Sequence, residues 1–168
     1  MLIRPAIPED AFAVAHVHVR SWQAAYRSLL PAEYLDGLRA EDRAARYDFS
    51  HSDPRSPHTL VAELDGSIGG FVTTMASRDQ SLSGSGELCA LYDSPSLWGC
   101  GMGVALIEAA RARLVAQGYS SAMLWLLKGN ARADRFYRRD EWLPDGEQKP
   151  DRVWGVDIEE FRYVRGLP

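Results

Sequence analysis

The chain has 168 residues, of which 46% are hydrophobic and 25% charged, and its formal net charge is −4. That balance is ordinary for a globular protein and long enough to bury one substantial core, so one domain spanning residues 1–168 is expected. The slight acidic excess excludes the basic footprint of nucleic-acid binders and mildly favours a cationic amine as partner, and no apolar run approaches a membrane span.

No N-terminal run has the layout of a signal peptide, which makes a cytoplasmic location the expectation. Cys89 and Cys100 are the only cysteines. With no C-x-x-C or Cys/His ligand spacing, neither reads as a disulfide or metal ligand.

In chain order, Leu2 to Arg4 reads as a short strand ended by Pro5. Phe12, Ala15, Val19, Trp22 and Tyr26 then recur at three- and four-residue steps, one face of a long helix. Pro31 can start a second helix through Leu38, and Glu41 to Phe49 a further helical stretch, before a Ser/Asp/Pro-rich connection from His51 to Pro57. The period then changes: Thr59 to Leu64, the Asp65-Gly66 turn and Ile68 to Met75 form a hairpin pattern. Ser77 to Gly86 reads as a mobile loop, and Glu87 to Asp93 as the next strand.

Trp98-Gly99-Cys100-Gly101-Met102-Gly103 then runs into the apolar stretch Val104 to Ala110, so that glycines turn the backbone tightly into a helix. Helix N-termini carry unpaired N–H donors and a partial positive charge, which makes this a phosphate cradle in prospect. A Walker A loop needs Lys-Ser or Lys-Thr after its last glycine, where this chain has Val104 and Ala105. A dinucleotide fingerprint needs a third glycine where Val104 or Leu106 stands. ATP, GTP, NAD and FAD are therefore disfavoured. The helix runs to Gln117 and is closed by Gly118; Ala122 to Leu127 is a strand, Asn130 to Arg139 a short helix, and Val153 to Tyr163 the best remaining strand. No internal repeat is present, and periodicity alone supports mixed α and β.

The segment Asn130-Ala131-Arg132-Ala133-Asp134-Arg135-Phe136-Tyr137 supplies a second motif. Together with the glycine loop it resembles the GCN5-related N-acetyltransferase (GNAT) superfamily, whose pyrophosphate loop reads Q/R-x-x-G-x-G/A and whose later motif reads N-x-x-A-x-x-F-Y. The resemblance implies an α/β fold with a central mixed, mostly antiparallel sheet and helices on both faces. It also implies transfer of acetyl from acetyl-CoA to a small-molecule or peptide primary amine by direct attack in a ternary complex, with no metal, and leaves room for a homodimer. Two other readings stay open: a non-catalytic acyl-CoA-binding regulator, and a protein-interaction domain whose loop binds nothing.

The chemistry needs a proton acceptor, because a lysine-like amine is only roughly one part in a thousand neutral at pH 7. The resemblance gives Glu87 as base, with Tyr92 and Asp93 as weaker candidates, and Tyr137 as the acid that protonates the departing thiolate. It puts the Leu91 N–H at the thioester carbonyl. The backbone of Leu91, Tyr92 and Asp93 would pair with pantetheine, while Trp98, Gly99, Cys100, Gly101, Met102, Gly103 and Val104 would hold the pyrophosphate. Asn130, Ala133 and Phe136 complete the cofactor set. Arg132, Arg135 and Arg139 share a helix face that can meet the 3′-phosphate, although a solvated arginine face is the more common explanation of such a pattern. Trp22, Tyr26 and Tyr34 are the acceptor-binding candidates, with core packing as the alternative and the preferred reading for Trp22. His16 and His18 fall on different faces and form neither a metal pair nor a dyad.

Two residues depart from the motifs. Trp98 stands where Gln or Arg is usual, removing side-chain help to the pyrophosphate. Glu141 replaces the glycine before the aromatic Trp142, at a turn that favours glycine.

Overall fold

The computed structural model describes residues 1–50, 53, 56–153 and 155–168. Most of the connection from His51 to Pro57, and Trp154, lie outside the described residues. A seven-stranded sheet runs in the order β1-β2-β3-β4-β5-β7-β6. Its strands are β1 (Leu2–Pro5), β2 (His58–Leu64), β3 (Ser67–Ala76), β4 (Gly86–Asp93), β5 (Ser121–Leu127), β6 (Leu143–Val153) and β7 (Val156–Gly166). Its helices are α1 (Ala11–Ala25), α2 (Ala32–Gly37), α3 (Ala40–Ala44), α4 (Met102–Ala116) and α5 (Ala131–Arg139).

The β2–β3 hairpin turns at Asp65 and Gly66, whose φ angles of 50° and 78° are those a tight hairpin turn demands. Alternation along the strands then sorts side chains between two helical layers. On one face Val61, Phe71 and half-buried Tyr92 meet Val14 and Val17 of α1. On the other, Ala62, Val72 and Leu88 meet Leu106, Ile107, Ala110 and Leu114 of α4. The approach of α4 depends on Gly70: a Cβ there would lie 2.9 Å from both Met102 Sδ and Leu106 Cδ1.

Four expectations are corrected. Phe12 is 53% exposed, because the first turn of α1 borders a shallow recess with Arg4 and Glu63 instead of the core. The helix expected over Glu41 to Phe49 is only α3; Tyr47 and Phe49 follow it and pack near Phe71. The loop expected to be mobile is tied down, since Arg162 Nη1 donates to Asp79 Oδ2 at 2.8 Å and Ser81 Oγ at 2.7 Å. The final strand begins at Val156, after Gly155 (φ 86°), and has an unforeseen partner in β6. β6 contains Pro144, Gly146 and Pro150, which a sheet tolerates at its edge, and its register breaks between Pro144 and Gln148.

The site is positioned by the middle of the sheet. β4 and β5 are parallel and pair only at Gly86 with Ala122 and Glu87 with Met123. On its other side β4 pairs Leu88 with Thr74 and Ala90 with Thr73, so Cys89 is an extra residue in a bulge. A bulge bends its strand, and from Leu88 onward β4 has no strand partner on its β5 side among the described residues.

Candidate active site

The splay opens into a cavity of about 1240 Å³ that reaches from α1 to the N-terminus of α4 and to α5. At the α4 end, Gly99 and Gly101 take φ angles of 85° and 89°, a conformation that β-carbons oppose. The first bond that closes α4 runs from Ala105 N to Gly101 O at 3.0 Å, so the N–H groups of Met102, Gly103 and Val104 precede the helical ladder. Gly99, Gly101, Gly103 and Val104 line the cavity. The Met102 side chain is 1% exposed in the core under β3, and Cys100 is exposed; both fall outside the lining and contribute at most backbone.

Trp98 occupies the position of the missing polar residue. Its Nε1 donates to Asp93 O at 3.1 Å, and the Arg132 guanidinium stacks 3.6 Å above its ring. Arg132 Nη2 also lies 4.0 Å from Asp93 Oδ1. The indole therefore brings an arginine from α5 to the loop. Burial raises the Asp93 carboxyl above the ordinary range, opposed chiefly by Arg132, and burial lowers the Arg132 guanidinium.

On α5, Asn130 caps the helix: its Oδ1 accepts from Ala133 N at 3.1 Å, which leaves the amide N–H groups for a ligand. Ala133, Phe136 and Tyr137 line the cavity, as do Arg132, Arg135 and Arg139. Tyr137 is 8% exposed, packs edge-on to Phe136 and Trp142, and burial, with Tyr92 and Asp93 nearby, raises its phenol. It stays protonated across the neutral range. The turn after α5 keeps its shape without glycine, because Glu141 itself takes φ 63°, with Oε2 accepting from Arg165 Nη2 at 2.8 Å.

Glu87 is 3% exposed and sits where β4 and β5 part. Arg78 grips it: Nη2 donates to Oε1 at 2.5 Å, Nε to Oε2 at 3.2 Å, and the Arg78 backbone N–H to Oε2 at 3.0 Å. The neighbouring Cys89 thiol is pushed up to about 12 by burial and by Glu87.

At the far end, Trp22 and Tyr26 line the cavity, while Tyr34 packs with Leu30 and Leu35 and does not reach it. Sequence reading gave His18 no role and did not single out four other residues at this end. His18 is buried, receives Tyr47 at Nδ1 (2.6 Å) and stacks on Tyr92 with ring centroids 4.6 Å apart. Arg78, Lys149, Asp151 and Glu160 also line this end. Glu160, in the middle of β7, carried no motif, and its neighbours Lys149 and Asp151 lie on the strand that composition concealed.

Among the described residues no three His, Cys, Asp or Glu side chains gather as a metal site, and no helix is long and apolar enough to cross a membrane.

Residues 19–140, from the middle of α1 to the end of α5, match the model of the Acetyltransferase (GNAT) family. The chain belongs to the GNAT acetyltransferase family. This GNAT protein is accordingly an N-acetyltransferase, an acyltransferase. It is 29% identical over 129 residues to the uncharacterized N-acetyltransferase YuaI of Bacillus subtilis, covering 76% of this chain and 72% of that one. The PaiA N-acetyltransferase of Thermoplasma acidophilum, solved with coenzyme A, has 20% identity and a TM-score of 0.71, covering 99% of this chain and 98% of that one. YncA of Salmonella typhimurium, solved with its cofactor acetyl-CoA, has 17% identity and a TM-score of 0.72, covering 100% and 94%. These structural likenesses establish the GNAT fold, with its mostly antiparallel seven-stranded sheet.

Proposed function

We propose that this acetyltransferase takes the acetyl group of acetyl-CoA and passes it directly to a primary amine while both are bound. The observation that carries the reading is one continuous cavity lined by the unpaired edge of β4, the glycine turn before α4 and the Tyr137 phenol. The pyrophosphate would meet the N–H groups of Gly99 to Val104, where the positive φ angles at Gly99 and Gly101 leave no β-carbon in the way. Pantetheine would extend along Leu91 to Asp93 as an added strand and take the Asn130 amide N–H. The Leu91 N–H would receive the negative charge that develops on the carbonyl oxygen, and Tyr137 would give its proton to sulfur as the C–S bond breaks. A buried, raised phenol suits that second task, because it reaches the transition state still protonated.

The acceptor would enter between Trp22, Tyr26 and Tyr92, where aromatic faces can surround a cationic amine. The sequence resemblance gives Glu87 as base. Titration calorimetry with acetyl-CoA, against ATP and NAD as controls, tests the reading. Selective binding at about −8 kcal/mol, the micromolar scale, is expected; no binding of any CoA ester would overturn it.

A further inference from the structure

We propose that Glu160 of β7 is the carboxylate that takes the proton from the acceptor amine, and that Glu87 instead fixes Arg78 at the mouth of the cavity. The inference rests on the acetyl-transfer reading and deepens it at the same site. A base needs an oxygen free to accept, and both Glu87 oxygens are engaged by one guanidinium, in a paired geometry that is strong and directional. Asp93 faces the cofactor end: Arg132 lies 4.0 Å from it, and its Oδ2 is 3.7 Å from where a Cβ on Gly103 would stand. His18 is buried, with Tyr47 and Arg43 both directed at Nδ1 (2.6 and 3.3 Å).

Glu160 differs from all three. It pairs with Leu127 on one side and Lys149 on the other, and its side chain lines the acceptor end of the cavity with 14% exposure. Its nearest cation, Lys149, is 3.8 Å away and lies over the Trp125 ring, too far for the close grip that Arg78 has on Glu87. Tyr26 and Tyr92 are hydrogen-bonded to each other, and Tyr26 lies within electrostatic reach of both Tyr137 and Glu160. Tyr92 likewise senses Glu160 and itself acts on Tyr137. The acid and the proposed base thus border one pair of phenols.

The groups facing Glu160 are Lys149 and Asp151 from β6, Arg78 from the loop after β3, Tyr26 just after α1 and Tyr92 from β4. Burial, assisted by the nearby Asp151 carboxyl and opposed by Lys149 and Arg78, lifts its carboxyl to about 7. A base titrating near the working pH combines a usable ionised fraction with the strength to take a proton. The bound ammonium gives one proton to a Glu160 oxygen, which returns it to solvent at the mouth. The freed nitrogen pair forms the C–N bond, the C–S bond breaks, and Tyr137 protonates sulfur. The second proton shed by nitrogen restores Tyr137.

The test is the pH dependence of kcat/KM with acetyl-CoA and a panel of a polyamine, an arylalkylamine and an alanyl peptide amide. The wild type is expected to gain activity through an inflection near 7. Glu160→Gln should lose that inflection and about 100-fold in rate, with acetyl-CoA affinity within twofold of wild type, while Glu87→Gln keeps the inflection. An unchanged rate and inflection in Glu160→Gln overturns the proposal. Whatever the panel yields, a carbon-13 titration of the glutamate-labelled full chain decides independently. A resonance missing in Glu160→Gln should titrate near 7, and a midpoint near the ordinary ~4.3 overturns the proposal. Failure of the wild type to bind acetyl-CoA would instead sink the acetyl-transfer reading, whatever Glu160 does.

Discussion

Glu141→Gly is expected to stabilise the protein slightly, and the expectation follows from two opposed terms. Glu141 holds φ 63° at the end of α5, where a β-carbon costs about 1 kcal/mol that glycine would not incur. Against this, the substitution removes the ion pair with Arg165 at 2.8 Å. The Glu141 side chain is 80% exposed, so that pair contributes under about 0.5 kcal/mol, and Arg165 keeps Asp140 at 3.2 Å. Net stabilisation is therefore about 0.5 kcal/mol, or about 1–2 °C in Tm for a chain of this size. Glu141→Ala keeps the strained φ and loses the ion pair, so it should destabilise by a few tenths of a kcal/mol, about the low end of exposed pairs. Urea denaturation of the three proteins, with equal slopes as a check on two-state behaviour, measures both differences. A midpoint for Glu141→Gly at or below that of Glu141→Ala would refute the assignment of strain to this residue.

Tyr137→Phe should slow acetyl transfer by about 100-fold or more while acetyl-CoA affinity barely changes; steady-state rates beside calorimetry check this, and unchanged turnover removes the phenol from the chemistry. Arg132→Ala should weaken coenzyme A binding by about tenfold or more, the scale of one charge-assisted contact, and Trp98→Ala by less, since it only releases the guanidinium. If 3′-dephospho-coenzyme A shows no such loss, Arg132 meets the 3′-phosphate and not the pyrophosphate. His18 is held well below its ordinary value by burial and by Arg43. The unfolded chain therefore binds the extra proton first, and the wild type should lose stability as pH falls below about 6.5. In denaturation series from pH 8 to 5, His18→Gln should lack that component; parallel curves would refute it.

Much of the sheet and both cofactor motifs were legible because each rests on local rules. The Asp65-Gly66 turn, the apolar run of α4 and the Asn130-to-Tyr137 motif announce themselves within a few residues. β6 did not, because Pro144, Gly146 and Pro150 carry loop chemistry and only β7 makes a strand of them. Trp98 looked like a loss of charge at the loop, since the arginine that stacks on it comes from another element. Tyr34 shared the aromatic character of Trp22 and Tyr26, but α2 packs it against their cluster, beside Leu30 and Leu35, without making it part of the cavity wall. Arg78 and Glu160 were hidden for the same reason: their significance lies in which groups the fold brings to them.

The brief pairing of β4 with β5 has a consequence for solvent exchange. Two residue pairs join the halves of the sheet at that seam, whereas β3 and β4 stay paired from Ala76 with Gly86 to Gly70 with Asp93. Amide protons of β4 that point toward β3 are locked into the ladder, and those that point into the gap are bare to water, so one strand should carry slow and fast exchangers side by side. An occupant of the gap would slow the fast set alone, giving a residue-by-residue record of where it lies.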